Sequence, residues 1–141
     1  MPKKVPFFQQ MDSMDCGPTS LRMIAAYYGK HYSLQTLREY CHITREGVSL
    51  LGISDAAERI GMRTTGVRLS FEVLEKKVKL PCIAHWKQKH FIVVYKIKNG
   101  IVYAADPAFG YLTFTKEEFL QQWISAKNEG IEQGLCLLVE P

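Results

Sequence analysis

From Pro18 onward the apolar positions Leu21, Ile24, Ala25 and Tyr28 recur at steps of three and four, and Gly29 follows where a C-terminal cap belongs, so the pattern predicts a helix over 17–28. Pro18 suits the first turn, where its missing N–H has no intrahelical acceptor to lose. Ser33 caps a second helix over 34–41 with Leu34, Leu37 and Cys41 on one face. Ser49 opens a third, running to Gly61, with Ile53, Ala56, Ala57 and Ile60 as its buried stripe. The period then changes. Residues 62–69 read as a strand, Ser70 caps a short helix over 71–78, and 81–86 and 90–97 read as strands on either side of the polar turn Lys87-Gln88-Lys89. Asn99-Gly100 turns the chain into a strand over 101–106, and 107–110 turn it again into 111–114. Thr115 with Glu118 forms a capping box for a helix through Trp123, and a polar loop precedes a last strand over 135–139. A helical half followed by a largely β half is an α+β arrangement.

Composition narrows this to one unit. With 141 residues, 47% of them hydrophobic, the chain can bury a core without disulfides or metals, and it contains no repeat, low-complexity stretch or linker, so a single domain over 1–141 is expected. The net charge of +4 is spread along the sequence and builds no basic tract, which argues against nucleic acid as a partner and leaves an acidic peptide open. No stretch approaches 18 consecutive apolar residues, so no membrane span is expected within these residues. The four cysteines form no C-x-x-C pair and the N-terminus lacks a secretory apolar stretch, which suits a reduced, cytosolic compartment.

The candidate chemistry starts at Cys16. A thiol at the first turn of a helix sits where unpaired backbone N–H groups and the helix dipole stabilise negative charge, and its neighbours Asp15 and Gly17 are poor core residues. Cys41, Cys82 and Cys136 lie on apolar faces and read as packing residues. Among the histidines, His31 and His42 stand at helix ends among polar residues, while His85 and His90 belong to strands and are the candidate bases. Gln10, six residues before Cys16 at the end of an extended lead-in, can aim a side-chain amide at the nucleophile and share an oxyanion with the Cys16 backbone N–H.

Whether His90 can be oriented by Asp106 is a question of strand parity. If Asn99-Gly100 alone makes the turn, pairing Lys98 with Ile101, Asp106 opposes Val93 and faces away from His90. If the turn is the three-residue Lys98-Asn99-Gly100, or an equivalent bulge intervenes, Asp106 opposes Ile92 and shares a face with His90. The triad reading requires the three-residue turn, with Gly100 left-handed, or an equivalent bulge. Otherwise Asp106 reads only as an Asp-Pro turn starter.

Taken together, Gln10, the run Asp15-Cys16-Gly17 leading into Leu21, Met23 and Ile24, the segment HWKQKHFIVV, and Ala105-Asp106-Pro107 resemble the bacteriocin-processing, double-glycine leader peptidases. These are papain-like cysteine proteases usually fused to the N-terminus of peptide-exporting ABC transporters. The resemblance covers essentially the whole chain. It implies a papain-like fold in which Cys16 attacks the carbonyl after a Gly-Gly or Gly-Ala pair, with His90 as base and then acid, Asp106 orienting it, and Gln10 in the oxyanion hole. It also implies a narrow channel for the two glycines, for which Trp86, Phe91 and Phe109 are wall candidates by position, although each reads more simply as core. No cofactor is implied. The implied partners are a precursor peptide whose amphipathic helical leader docks on an apolar patch, sought on the 34–41 and 49–60 helices, and the transmembrane and ATPase domains of a transporter at the cytoplasmic side of a bacterial membrane. A cargo-binding module with little hydrolysis, or a papain-like amidase or acyltransferase, are the alternatives.

Overall fold

The computed structural model describes residues 4–44, 47–87 and 89–141; Gln88 of the expected polar turn and residues 1–3 of the lead-in lie outside it. Three helices come first, α1 (Cys16–Tyr27), α2 (Leu34–Cys41) and α3 (Leu50–Arg59). They are followed by β1 (Arg63–Leu69), α4 (Phe71–Lys77), β2 (Cys82–Trp86), β3 (His90–Lys98), β4 (Ile101–Asp106), β5 (Gly110–Thr115), α5 (Lys116–Trp123), β6 (Ile124–Asn128) and β7 (Ile131–Glu140). The capping residues act as their positions predict. The hydroxyls of Ser33, Ser49 and Ser70 accept from the N–H groups of Thr36, Gly52 and Val73 at 3.1, 3.0 and 3.3 Å, each bond contributing about 1 kcal/mol. Thr115 and Glu118 close the reciprocal box at 2.8 and 3.2 Å.

The seven strands pair antiparallel in the order β1-β7-β2-β3-β4-β5, with β6 paired to β7. Helices cover both faces. Phe91, Val93 and Tyr95 of β3 join Cys16, Leu21, Ile24 and Ile53 in one core. Ile92 and Val94 point the other way and join Trp86, Phe119 and Trp123 in a second. Burial on both sides is why 90–97 is a continuous apolar run instead of an alternating one.

One stretch departs from the expectation. Residues 124–134, read as a polar loop, form most of a β6–β7 hairpin that turns through Glu129 and Gly130 at φ 53° and 82°. The paired positions Asn128 and Ile131 sit at its outer end, and Ile131 is 54% exposed. Residues 129–132 at its turn are exposed, so this end leaves no hydrophobic period to read.

Candidate active site

α1 begins at Cys16, which is 4% exposed and carries its thiol on the first turn. Gly17 is required there by close packing: a Cβ at that position would stand 2.1 Å from Cγ1 of Val48. Further along, the Ser20 hydroxyl donates to the Phe91 carbonyl at 3.4 Å, tying α1 to β3 one residue beyond His90. Asp15 and Gly17, expected to be poor core residues, are both buried. Asp15 tolerates this because Arg38 of α2 reaches it, with Nη1 3.0 Å from Oδ1.

The β3–β4 hairpin resolves the parity question with a bulge and not with a three-residue turn. Its turn is the strict two-residue Asn99-Gly100, with φ 54° and 76° and Lys98 paired to Ile101. Positive φ at both positions is the geometry whose twist matches the flanking strands, and Asn-Gly adopts it at least cost. The register then slips between Val94 and Lys96, where Tyr95 is the extra residue of a β-bulge: Lys96 pairs with Tyr103, but Val94 pairs with Ala104 and Val93 with Ala105. Continued one step, that register sets Asp106 against Ile92, on the face of His90. Tyr95 is held in place by packing, 4% exposed, with its ring 6.4 Å from that of Tyr103 and 6.1 Å from that of Tyr111.

Asp106 Oδ1 consequently lies 2.7 Å from His90 Nε2. The same oxygen accepts from the Ala108 N–H at 2.9 Å, so the Asp-Pro turn and the contact with His90 are two uses of one carboxylate. With Nε2 on Asp106, Nδ1 is the ring nitrogen left to face Cys16, whose thiol also acts on the charge of His90. Burial works against a charge on His90, but the bonds to Asp106 and Cys16 and the charges they bring outweigh it and lift the pKa from 6.5 to about 9.

Gln10 is fixed by its backbone: its N–H donates to the Pro107 carbonyl at 2.9 Å, immediately beyond Asp106. Its side-chain Oε1 is buried with no partner. Upstream, the Tyr111 hydroxyl donates to the Val5 carbonyl at 2.7 Å, clamping the lead-in to β5. Sequence reasoning passed over both Tyr111 and Arg38. Nothing in the local pattern marks a tyrosine on an edge strand, or an arginine on an exposed helix face, as a partner of segments 106 and 23 residues away.

The remaining candidates separate cleanly. Cys41, Cys82 and Cys136 are buried packing residues; burial pushes the Cys41 thiol up to about 12, and the bond to Cys136 together with burial raises that of Cys82. His31 and His42 are exposed, and His85 stacks on Phe91 with ring centroids 5.3 Å apart. The three wall candidates border two hollows. Trp86, 2% exposed, packs on Phe114 and Phe119, and it shares a cavity of about 490 Å³ beside Asp106 with the exposed ring of Phe109. Phe91 instead borders a separate groove of about 600 Å³ with Val48, Leu50, His85, Lys89 and Leu135. Among the described residues, no cluster of three or more His, Cys, Asp or Glu side chains could hold a metal ion, and no helix is long and apolar enough to cross a membrane.

A thiol on the head of a helix that packs against an antiparallel sheet, facing an imidazole on the first residue of a central strand, is the layout of the papain-like cysteine peptidases. Residues 4–127 match the peptidase C39 family, and the chain belongs to that family of cysteine peptidases. It is 34% identical, over 82% of its length, to the colicin V secretion/processing ATP-binding protein CvaB of Escherichia coli, of which the match covers 16%. The chain thus spans about a sixth of the length of that relative. Among solved structures it superposes with a TM-score of 0.89 on a double glycine motif protease from an AMS/PCAT transporter, determined in complex with the leader peptide. The identity there is 35%, over 99% of this chain and 94% of that one. The peptidase domain of Streptococcus ComA, a bi-functional ABC transporter involved in a quorum sensing pathway, gives 0.82 at 27% identity over 98% and 99%.

Proposed function

We propose that this chain is the peptidase domain of a peptide-exporting ABC transporter, and that it cleaves the leader from precursor peptides after a Gly-Gly or Gly-Ala pair. The observation that carries the reading is the His90 imidazole held 2.7 Å from the Asp106 carboxylate, with the Cys16 thiol at the head of α1 close enough to help raise the His90 pKa. In this reading the Cys16 sulfur attacks the carbonyl carbon of the second residue of the pair. The developing oxyanion takes hydrogen bonds from the Gln10 side-chain amide and the Cys16 backbone N–H, which as the first N–H of α1 has no intrahelical acceptor. His90, protonated through Nδ1, gives that proton to the leaving amine and the cargo departs. The ring then takes a proton from water, which attacks the thioester, releases the leader and restores the thiol. Asp106 holds Nε2 and stabilises the imidazolium.

The names of the relatives support the substrate class and the partners. They are ATP-binding proteins named for colicin V secretion/processing and for lactococcin-G processing and transport, and one neighbouring structure holds a leader peptide. This chain would accordingly work beside transmembrane and ATPase domains, at the cytoplasmic face of the membrane. The groove at the start of α3 sets the apolar Val48, Leu50, Phe91 and Leu135 beside Ser49, His85 and Lys89, a mixed surface suited to one face of an amphipathic leader helix.

The test is incubation of the chain with a precursor carrying a Gly-Gly junction, followed by mass analysis of both fragments. Cleavage after the second glycine that disappears in Cys16→Ala is expected. Leader binding without product, or full turnover in Cys16→Ala, would overturn the reading.

A further inference from the structure

Aspartate is among the best helix N-caps, yet at α1 it does not cap. Asp15 is the residue before Cys16, and its side chain makes no bond to the helix it precedes. Its carboxylate is 0% exposed and is turned towards α2, where Arg38 donates to Oδ2 at 3.2 Å and stands 3.0 Å from Oδ1. The Asp12 N–H donates to the same Oδ2 at 3.2 Å, and Arg38 also lies 3.7 Å from the Asp12 carboxylate. The consequence falls on the first turn of α1. Pro18 has no N–H and the Thr19 N–H is taken by the Asp15 carbonyl at 2.9 Å, so the N–H groups of Cys16 and Gly17 are the ones left without an intrahelical acceptor. Those two, with the positive end of the helix dipole, are what an anion at Cys16 would use. They are also what a freed Asp15 carboxylate would seek, since an N-cap side chain bonds the second helical N–H, here that of Gly17.

We infer that Arg38 is a positioning residue for the nucleophile: by pairing with Asp15 it keeps a buried carboxylate off the α1 N-terminus, so that the first-turn N–H groups and the dipole serve the sulfur anion and the oxyanion instead of an internal cap. This rests on the proposed peptidase reading. Its sign is opposite to that of an ordinary structural ion pair. The damage done by removing Arg38 comes from the charge left on Asp15, and it is reversed by removing that charge as well.

The experiment compares wild type, Arg38→Met, Arg38→Lys and the double variant Arg38→Met/Asp15→Asn. Each is read by steady-state cleavage of a Gly-Gly precursor and by the rate at which iodoacetamide alkylates Cys16, followed on the Cys16 peptide by mass spectrometry; thermal unfolding is recorded alongside. Arg38→Met is expected to lose at least tenfold in kcat with little change in KM and to slow Cys16 alkylation at neutral pH by a similar factor. Arg38→Lys should fall between it and wild type. The double variant, which keeps an amide oxygen for the Asp12 N–H, is expected to recover both rates to within about threefold of wild type. Arg38→Met with wild-type rates overturns the inference. So does a double variant no faster than Arg38→Met, which would show that the pair only anchors the loop. Alkylation needs no substrate, so wild-type failure on every Gly-Gly precursor would fault the peptidase reading while the alkylation series still decided the role of Arg38.

Discussion

Replacing Asp106 by Asn tests the His90 charge directly. The His90 pKa is lifted from 6.5 to about 9 against the opposing effect of burial. Each pH unit corresponds to 1.36 kcal/mol, so the shift represents about 3 kcal/mol favouring the charged ring. His90 has one-fifth of its side chain exposed, so solvent screening trims this to about 2–3 kcal/mol. Because the folded value is raised, the stability it contributes is fully present below pH 6.5 and is lost as the pH rises through about 9. In Asp106→Asn the amide keeps the shape but not the charge, and the pKa is expected to fall by about 1–2 units, with Cys16 still supporting what remains. Two readouts apply. The ring resonances of His90 followed by NMR should titrate near 9 in wild type and between about 7 and 8 in the variant. The alkaline limb of kcat/KM on a fluorogenic Gly-Gly peptide should move down by the same interval. The wild-type unfolding midpoint should also lose more between pH 6.5 and 9.5 than that of the variant. An unchanged His90 midpoint in Asp106→Asn would refute the reasoning, because it would mean that the 2.7 Å contact does not govern the protonation of His90.

Other substitutions separate chemistry from packing. Gln10→Ala should lower kcat about 100- to 1000-fold with KM nearly unchanged, the usual loss for one oxyanion donor; a loss confined to KM would place Gln10 in substrate binding instead. Phe119, fully buried among Phe71, Trp86, Phe114 and Trp123, should cost about 3–5 kcal/mol on truncation to Ala in urea unfolding. Gly134→Ala would place a Cβ 2.2 Å from the Trp123 ring, so a loss of about 1–3 kcal/mol in the same assay is expected.

Much of the molecule is written locally. The α1, α2 and α3 stripes, the three serine caps and the Thr115–Glu118 box each depend on residues within about one turn of one another, and each occurs where the periodicity predicts it. Cys16 on the head of α1, and His90 at the start of a strand, were legible for the same reason. What escaped was set by contacts between distant segments. The sequence does carry a signal that Asp106 and His90 need an odd residue between them, but not where it lies. The bulge fell at Tyr95 instead of in the turn, because Asn99-Gly100 satisfies the tight turn by itself, while the Tyr95 ring has Tyr103 and Tyr111 to pack against.

The sequence by itself therefore determined the element order outside β6 and named the candidates for acyl-transfer chemistry, both of which follow from side-chain type and period. Tertiary structure alone decided that His90 and Asp106 share a face, that Tyr111 clamps the lead-in carrying Gln10, and that Arg38 draws Asp15 away from the nucleophile. Each of these is a pairing across 16 to 106 residues. Periodicity reports which face of its own element a side chain occupies, and it carries no information about what another element brings to meet it.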